Sequence, residues 1–66
     1  MSASSDFAEL SSLQAQVDDL TDRVVAVGDR YRDTDDSAIA AEIDMAERGL
    51  LGAVRSLDRA AGLLGR

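Results

Sequence analysis

Three groups of side chains in this sequence could do chemistry. Asp33, Asp35 and Asp36 stand close together, and clustered carboxylates suit hard cations such as Mg²⁺ or Ca²⁺. The spacing lacks the Gly and the distal Glu of a calcium-binding loop, so no metal site is expected. Asp18 and Asp22 form a second carboxylate pair, placed one helical turn apart where the two charges repel. Arg48, Arg55 and Arg59 form the third group. They fall near one strip of a helix and could contact an anion or an acidic partner. Glu47, Asp44 and Asp58 lie among them, so a solvated, charge-balanced face is the simpler expectation.

Nothing in the chain would activate these groups. There is no His, no Cys and no Lys. A serine would find no base, a zinc ion no nitrogen or sulfur ligand, and a phosphate no glycine-rich loop. The chain is expected to be non-enzymatic, with no catalytic residues, no cofactor and no metal.

The elements that carry these residues are helices. The chain has no Pro, no Trp, one Phe and one Tyr, and its apolar residues are mostly Ala, Leu and Val. That composition favours helix over sheet, and the fold class expected is all-α. From Leu10 onward, Leu10, Leu13, Val17, Leu20, Val24, Val27 and Tyr31 recur at alternating steps of three and four. This is the a/d seam of a coiled coil, with Leu10, Val17, Val24 and Tyr31 at a.

Asp6 with Glu9 matches a capping box, so a first helix is expected from about 7 to 32, roughly 38 Å long at ~1.5 Å per residue. Residues 1–5 are expected to be disordered. Gly28 lies beside the seam and is expected to let a second helix approach closely.

After Tyr31 the phase breaks. The polar stretch 30–37 contains Thr34, Asp35 and Asp36, three residue types that cap helices. A new seam then follows: Ile39, Ile43, Ala46, Leu50, Ala53, Leu57, Ala60 and Leu64. The phase jump predicts a turn at about 33–36 and a second helix over about 36–64, ended by Gly65, in a single domain 6–66. The expected architecture is an antiparallel two-helix hairpin whose core is formed by the two seams. One long helix with an interrupted seam is the alternative, because no Gly or Pro enforces the turn. Asp44 with Arg48 and Asp19 with Arg23 stand at the i, i+4 spacing of favourable ion pairs.

Ala40, Leu51, Val54 and Ala61 form a second stripe on helix two, widened by Met45 and Leu63. A hairpin partner covers only one arc of a helix, so this stripe is expected to be an interface. The predicted assembly is a homodimer of hairpins in a four-helix bundle, or a complex with another protein. A chain this short buries only about 60% of its unfolded surface, and without disulfides or metal, association is the remaining means of stabilisation.

Net charge is −6: residues 1–37 hold nine acids and three Arg (−6), and residues 38–66 hold four of each (0). An acidic chain repels phosphate, so nucleic acid and membrane surfaces are not expected partners, and no small-molecule ligand is expected. The all-Arg basic set and abundant Asp and Ala suggest a high-GC bacterium such as an actinobacterium. The polar start of the chain lacks the basic and apolar regions of a signal peptide, so a cytoplasmic location is expected.

Two resemblances extend this reading. Tyr31-Arg32-Asp33-Thr34-Asp35 resembles the Tyr-x-x-x-Asp signal of actinobacterial type VII secretion substrates, which are also helical hairpins. In that family the signal follows the second helix and a Trp-x-Gly turn joins the two; here the match falls at the turn and there is no Trp. Helix two is similar to part of the cyclic-di-GMP-responsive anti-sigma factors of streptomycetes, whose ligand motif is Glu-x3-Ser-x2-Arg-x3-Gln-x3-Asp. Aligned from Glu47, the later positions are Leu51, Val54, Asp58 and Gly62, so only the Glu is retained. Arg48, Leu50, Arg55 and Leu57 keep a similar Arg-x-Leu frame. This second resemblance implies a hairpin that grips another helix, without the nucleotide site.

Overall fold

The computed structural model describes residues 2–65, leaving Met1 and Arg66 outside. It consists of two α-helices, α1 (Ala3–Asp29) and α2 (Ser37–Leu64), packed against each other as a hairpin. The rod measures 51 × 14 × 14 Å, with a radius of gyration of 15.3 Å. A compact domain of this length would have about 11 Å, so the hairpin is extended along its helices. The phase break after Tyr31 does mark a turn, and a single long helix is excluded.

Helix α1 starts earlier than the capping box predicts. Ser2 is its N-cap, its Oγ accepting from the Ser5 N–H at 3.2 Å. Ala3 to Ser5 are therefore helical, where disorder was expected, because a serine hydroxyl three residues ahead satisfies a free amide as well as Asp6 would. The helix also ends earlier, at Asp29, and Tyr31 belongs to the turn.

Across the turn the Thr34 hydroxyl donates to the Tyr31 carbonyl and accepts from the Asp36 N–H. Asp33 adopts φ 61°, a left-handed conformation that Asp tolerates better than most L-residues. Asp36 is the N-cap of α2 by position, without a side-chain cap hydrogen bond.

The two helices meet along strips that differ from the predicted seams. In α1 the strip is Leu10, Gln14, Val17, Thr21, Val24 and Gly28, continued by Tyr31 of the turn, all buried or half-buried. In α2 it is Ala40, Ile43, Glu47, Leu50, Val54, Leu57, Ala61 and Leu64. The a positions of both predicted seams are retained in the core: Leu10, Val17, Val24 and Tyr31, and Ile43, Leu50, Leu57 and Leu64.

Their companions are corrected. Leu13 is 40% exposed, Leu20 47%, Val27 36% and Ile39 43%. Ala46 and Ala53 are also exposed, and Ala60 is half-buried. Small residues on the other flank explain the shift. A Cβ at Gly28 would stand 2.8 Å from Ile43 Cγ2, so the missing side chain lets α2 approach there. Ala40 at 3% and Ala61 at 5% exposure fill the same role from α2. Thr21, 5% exposed, satisfies its hydroxyl internally by donating to the Val17 carbonyl at 2.7 Å.

Candidate functional interface

Each helix turns through about 100° per residue, which gives the hairpin two distinct flanks. One carries the residues just after the a positions: Ser11, Asp18 and Val25 on α1, continued by Arg32 in the turn, with Asp44, Leu51 and Asp58 on α2. The other carries the residues just before Gln14, Thr21 and Gly28 on α1, and just before Ala40, Glu47, Val54 and Ala61 on α2. These are Leu13, Leu20 and Val27, with Ile39, Ala46, Ala53 and Ala60. Because the helices are antiparallel, equivalent positions of the two helices fall on the same side of the rod.

The first flank is mostly polar, Val25 and Leu51 excepted, and confirms that geometry. Arg32 donates to both carboxylate oxygens of Asp44, at 3.0 and 3.3 Å, across the two helices. It also reaches Asp29 at 3.4 Å. Hydrogen bonding to Arg32 holds the Asp44 carboxyl below its ordinary range, and the bond to Asp44 raises the Arg32 guanidinium further. Asp44 therefore bonds across the hairpin to Arg32, where its i, i+4 neighbour Arg48 was expected; among the described residues Arg32 makes the ion pairs, with Asp29 and Asp44. A bidentate guanidinium–carboxylate geometry accounts for that preference.

The second flank is apolar and uncharged over the whole of Leu13, Leu20, Val27, Ile39, Ala46, Ala53 and Ala60. Leu20 and Val27 line one shallow depression with Arg23 and Arg30, and Leu13 lines another with Leu10, Leu64 and the acids Asp6 and Glu9. Polar and charged side chains thus border the face while its middle is hydrocarbon. Among the described residues none covers its large side chains fully, and Leu13, Leu20, Val27 and Ile39 stay 36–47% exposed.

The stripe singled out on α2 does not form one surface. Ala40 and Ala61 are buried between the helices, Val54 is half-buried in the same strip, and only Leu51, 37% exposed, faces outward. That correction follows from the choice of strip: the close-packed side of the hairpin uses these residues and releases Leu13, Leu20, Val27 and Ile39. Periodicity had identified all of these as apolar positions but could not decide which pair of columns packs within the chain. Met45 and Leu63 are each 61% exposed.

Arg48, Arg55 and Arg59 are all exposed, and Arg59 donates to Ser56 at 3.1 Å. They lie on the outer surface of α2, away from the apolar face. Tyr31 is half-buried and Asp35 exposed, both in the interhelical turn. No cluster of three carboxylates able to hold a metal ion occurs among the described residues. No helix among them is long and apolar enough to cross a membrane. No protein family, curated protein or solved structure matches this chain.

Proposed function

We propose that the chain is a cytoplasmic, non-enzymatic helix–helix interaction module, acting as a homodimer that forms a four-helix bundle or as a small adaptor or regulator of a larger partner. One observation carries this reading: the hairpin leaves Leu13, Leu20, Val27 and Ile39 between 36% and 47% exposed on a single uncharged face. A soluble monomer has no use for such a face, whereas a helix bundle needs one on every hairpin.

The hairpin's own core supports the same reading. Its buried residues are Ala40, Ala61, Thr21 and Gly28, and no large side chain is fully buried among the described residues. The accessible surface is 4772 Å², against about 4,000 Å² for a compact monomer of this mass. Covering the apolar face would remove much of that excess.

Light scattering coupled to size-exclusion chromatography, with circular dichroism, tests the reading. Leu20→Asp is expected to keep its helicity and lose association. If the parent and Leu20→Asp show the same mass and the same partner binding, the face is not an interface.

A further inference from the structure

We propose that the apolar face mates with a second copy of the chain about a two-fold axis parallel to the rod, so that α1 of each copy lies against α2 of the other. The inference rests on the interaction reading above and specifies the occupant and its orientation.

Relief on the face carries the argument. The α1 column is large (Leu13, Leu20, Val27) and the α2 residues level with it are small (Ala60, Ala53, Ala46), with Ile39 beyond them towards the turn. Gly28 stands against Ile43, and Phe7 against Gly65. That register places Leu13 nearly level with Ala60, Leu20 with Ala53, and Val27 with Ala46. The face is therefore a ridge beside a furrow, running for about 21 Å at 1.5 Å per residue.

A two-fold axis along the rod keeps every height and exchanges the two columns. Each leucine or valine then enters the alanine furrow of the second copy, with Leu20 over the second copy's Ala53. An axis across the rod would instead stack α1 on α1. Leu20 would meet Leu20, ridge on ridge, and a gap would remain between the alanine columns. Close packing rejects that arrangement.

Charge at the edges agrees. Arg30 borders the α1 side of the face, and exposed Glu42 lies on the α2 side at a similar height. Rotation about the parallel axis brings the Arg30 of each copy beside the Glu42 of the other, and the pairing occurs twice by symmetry. The same edge sets Gln16 beside the second copy's Ser56, Arg23 beside its Gly49, and Glu9 beside its Leu63, with no like charges opposed.

The chain has no cysteine, so single cysteines can report the arrangement directly. Leu20→Cys and Ala53→Cys proteins, one carrying a mass tag, are mixed, unfolded and refolded together, then oxidised. The expected product is the mixed disulfide between Cys at 20 and Cys at 53, with loss of either homodisulfide. A Leu20→Cys homodisulfide formed instead overturns the parallel axis while leaving the interaction reading intact. A parent that has the mass of one chain at every concentration overturns the second copy as occupant, and only the adaptor form of the reading survives.

Ala53→Leu fills the furrow without touching the hairpin's own core, and is expected to lose dimerisation while keeping its helicity. Leu51→Asp, on the opposite flank, is expected to dimerise as the parent does. Dimerisation by Ala53→Leu, or its loss in Leu51→Asp, refutes the proposed face.

Discussion

Two residues hold the backbone in positions that their neighbours would not accept, and each gives a test. At Gly28 a methyl group would sit 2.8 Å from Ile43 Cγ2 and 3.4 Å from its Cβ. Ile is β-branched and stiff at χ1, so it cannot turn aside easily. Alanine in a helix is favoured over glycine by about 1 kcal/mol, but overpacking typically costs 1–3 kcal/mol. Gly28→Ala is expected to lose about 1 kcal/mol net, lowering the thermal midpoint by roughly 4–8 °C. Asp33, at φ 61°, is the opposite case. Glycine reaches that conformation without a Cβ penalty but loses more backbone entropy on folding. Asp33→Gly is expected to gain about 0.5 kcal/mol and Asp33→Val to lose more than that, both measurable by denaturant unfolding. Gly28 was legible in the sequence as a close-approach position, whereas the left-handed turn residue was not, since three aspartates near the turn have equivalent local chemistry.

Between the elements, the ion pair from Arg32 to Asp44 ties the start of the turn to the second turn of α2. Both partners are partly exposed, at 46% and 36% of their side chains, so water and salt weaken the pair. Its signature is nevertheless directional. Bonding to Arg32 lowers the Asp44 carboxyl below its ordinary value of 3.8. A carboxyl whose pKa is depressed on folding stabilises the fold above its unfolded pKa, and that stabilisation disappears as the pH falls through the folded value. Unfolding free energy measured from neutral pH down to below 3.8 should therefore decline in the parent. In Asp44→Asn this contribution is absent, and the decline should be shallower. The existence of two helical stretches and the neighbourhood of the turn could be read from seam periodicity and from the phase break, whereas the reversal itself had one long helix as its alternative. Boundaries could not: Ser2 outcompetes Asp6 as the cap, and the chain leaves the helix at Asp29 before its apolar pattern ends.

For the molecule as a whole, the uncovered face sets the energetics. Burying the exposed halves of Leu13, Leu20, Val27 and Ile39 is worth about 1 kcal/mol each on the usual area scale, and a symmetric pair buries eight such side chains. A rod in which, among the described residues, only two alanines, a threonine and a glycine are buried while its larger core side chains stay half-buried would gain a large part of its stability from such a pairing. Folding coupled to association makes the thermal midpoint rise with protein concentration. The parent is expected to show that rise, and Leu20→Asp to melt at a lower temperature that does not depend on concentration. Calorimetry over a hundredfold dilution series would check it, and a concentration-independent parent would contradict the coupling.

The sequence by itself determined that this protein is helical, that its apolar phase breaks after Tyr31, and that each helix presents its a positions inward. It also determined that more apolar surface exists than one hairpin can cover, because composition and periodicity are local properties that survive any packing choice. Only the tertiary structure decided which apolar columns meet inside the chain. Leu13 and Gln14, Leu20 and Thr21, Val27 and Gly28 are neighbours in sequence, and hydrophobicity alone selects the first of each pair. Close approach selects the second, since Gly28, Ala40 and Ala61 let the helices settle where bulkier side chains would hold them apart. The leucines and valine that the periodicity placed in the core are thereby turned outward, onto the face where α1 and α2 together present a ridge and a furrow.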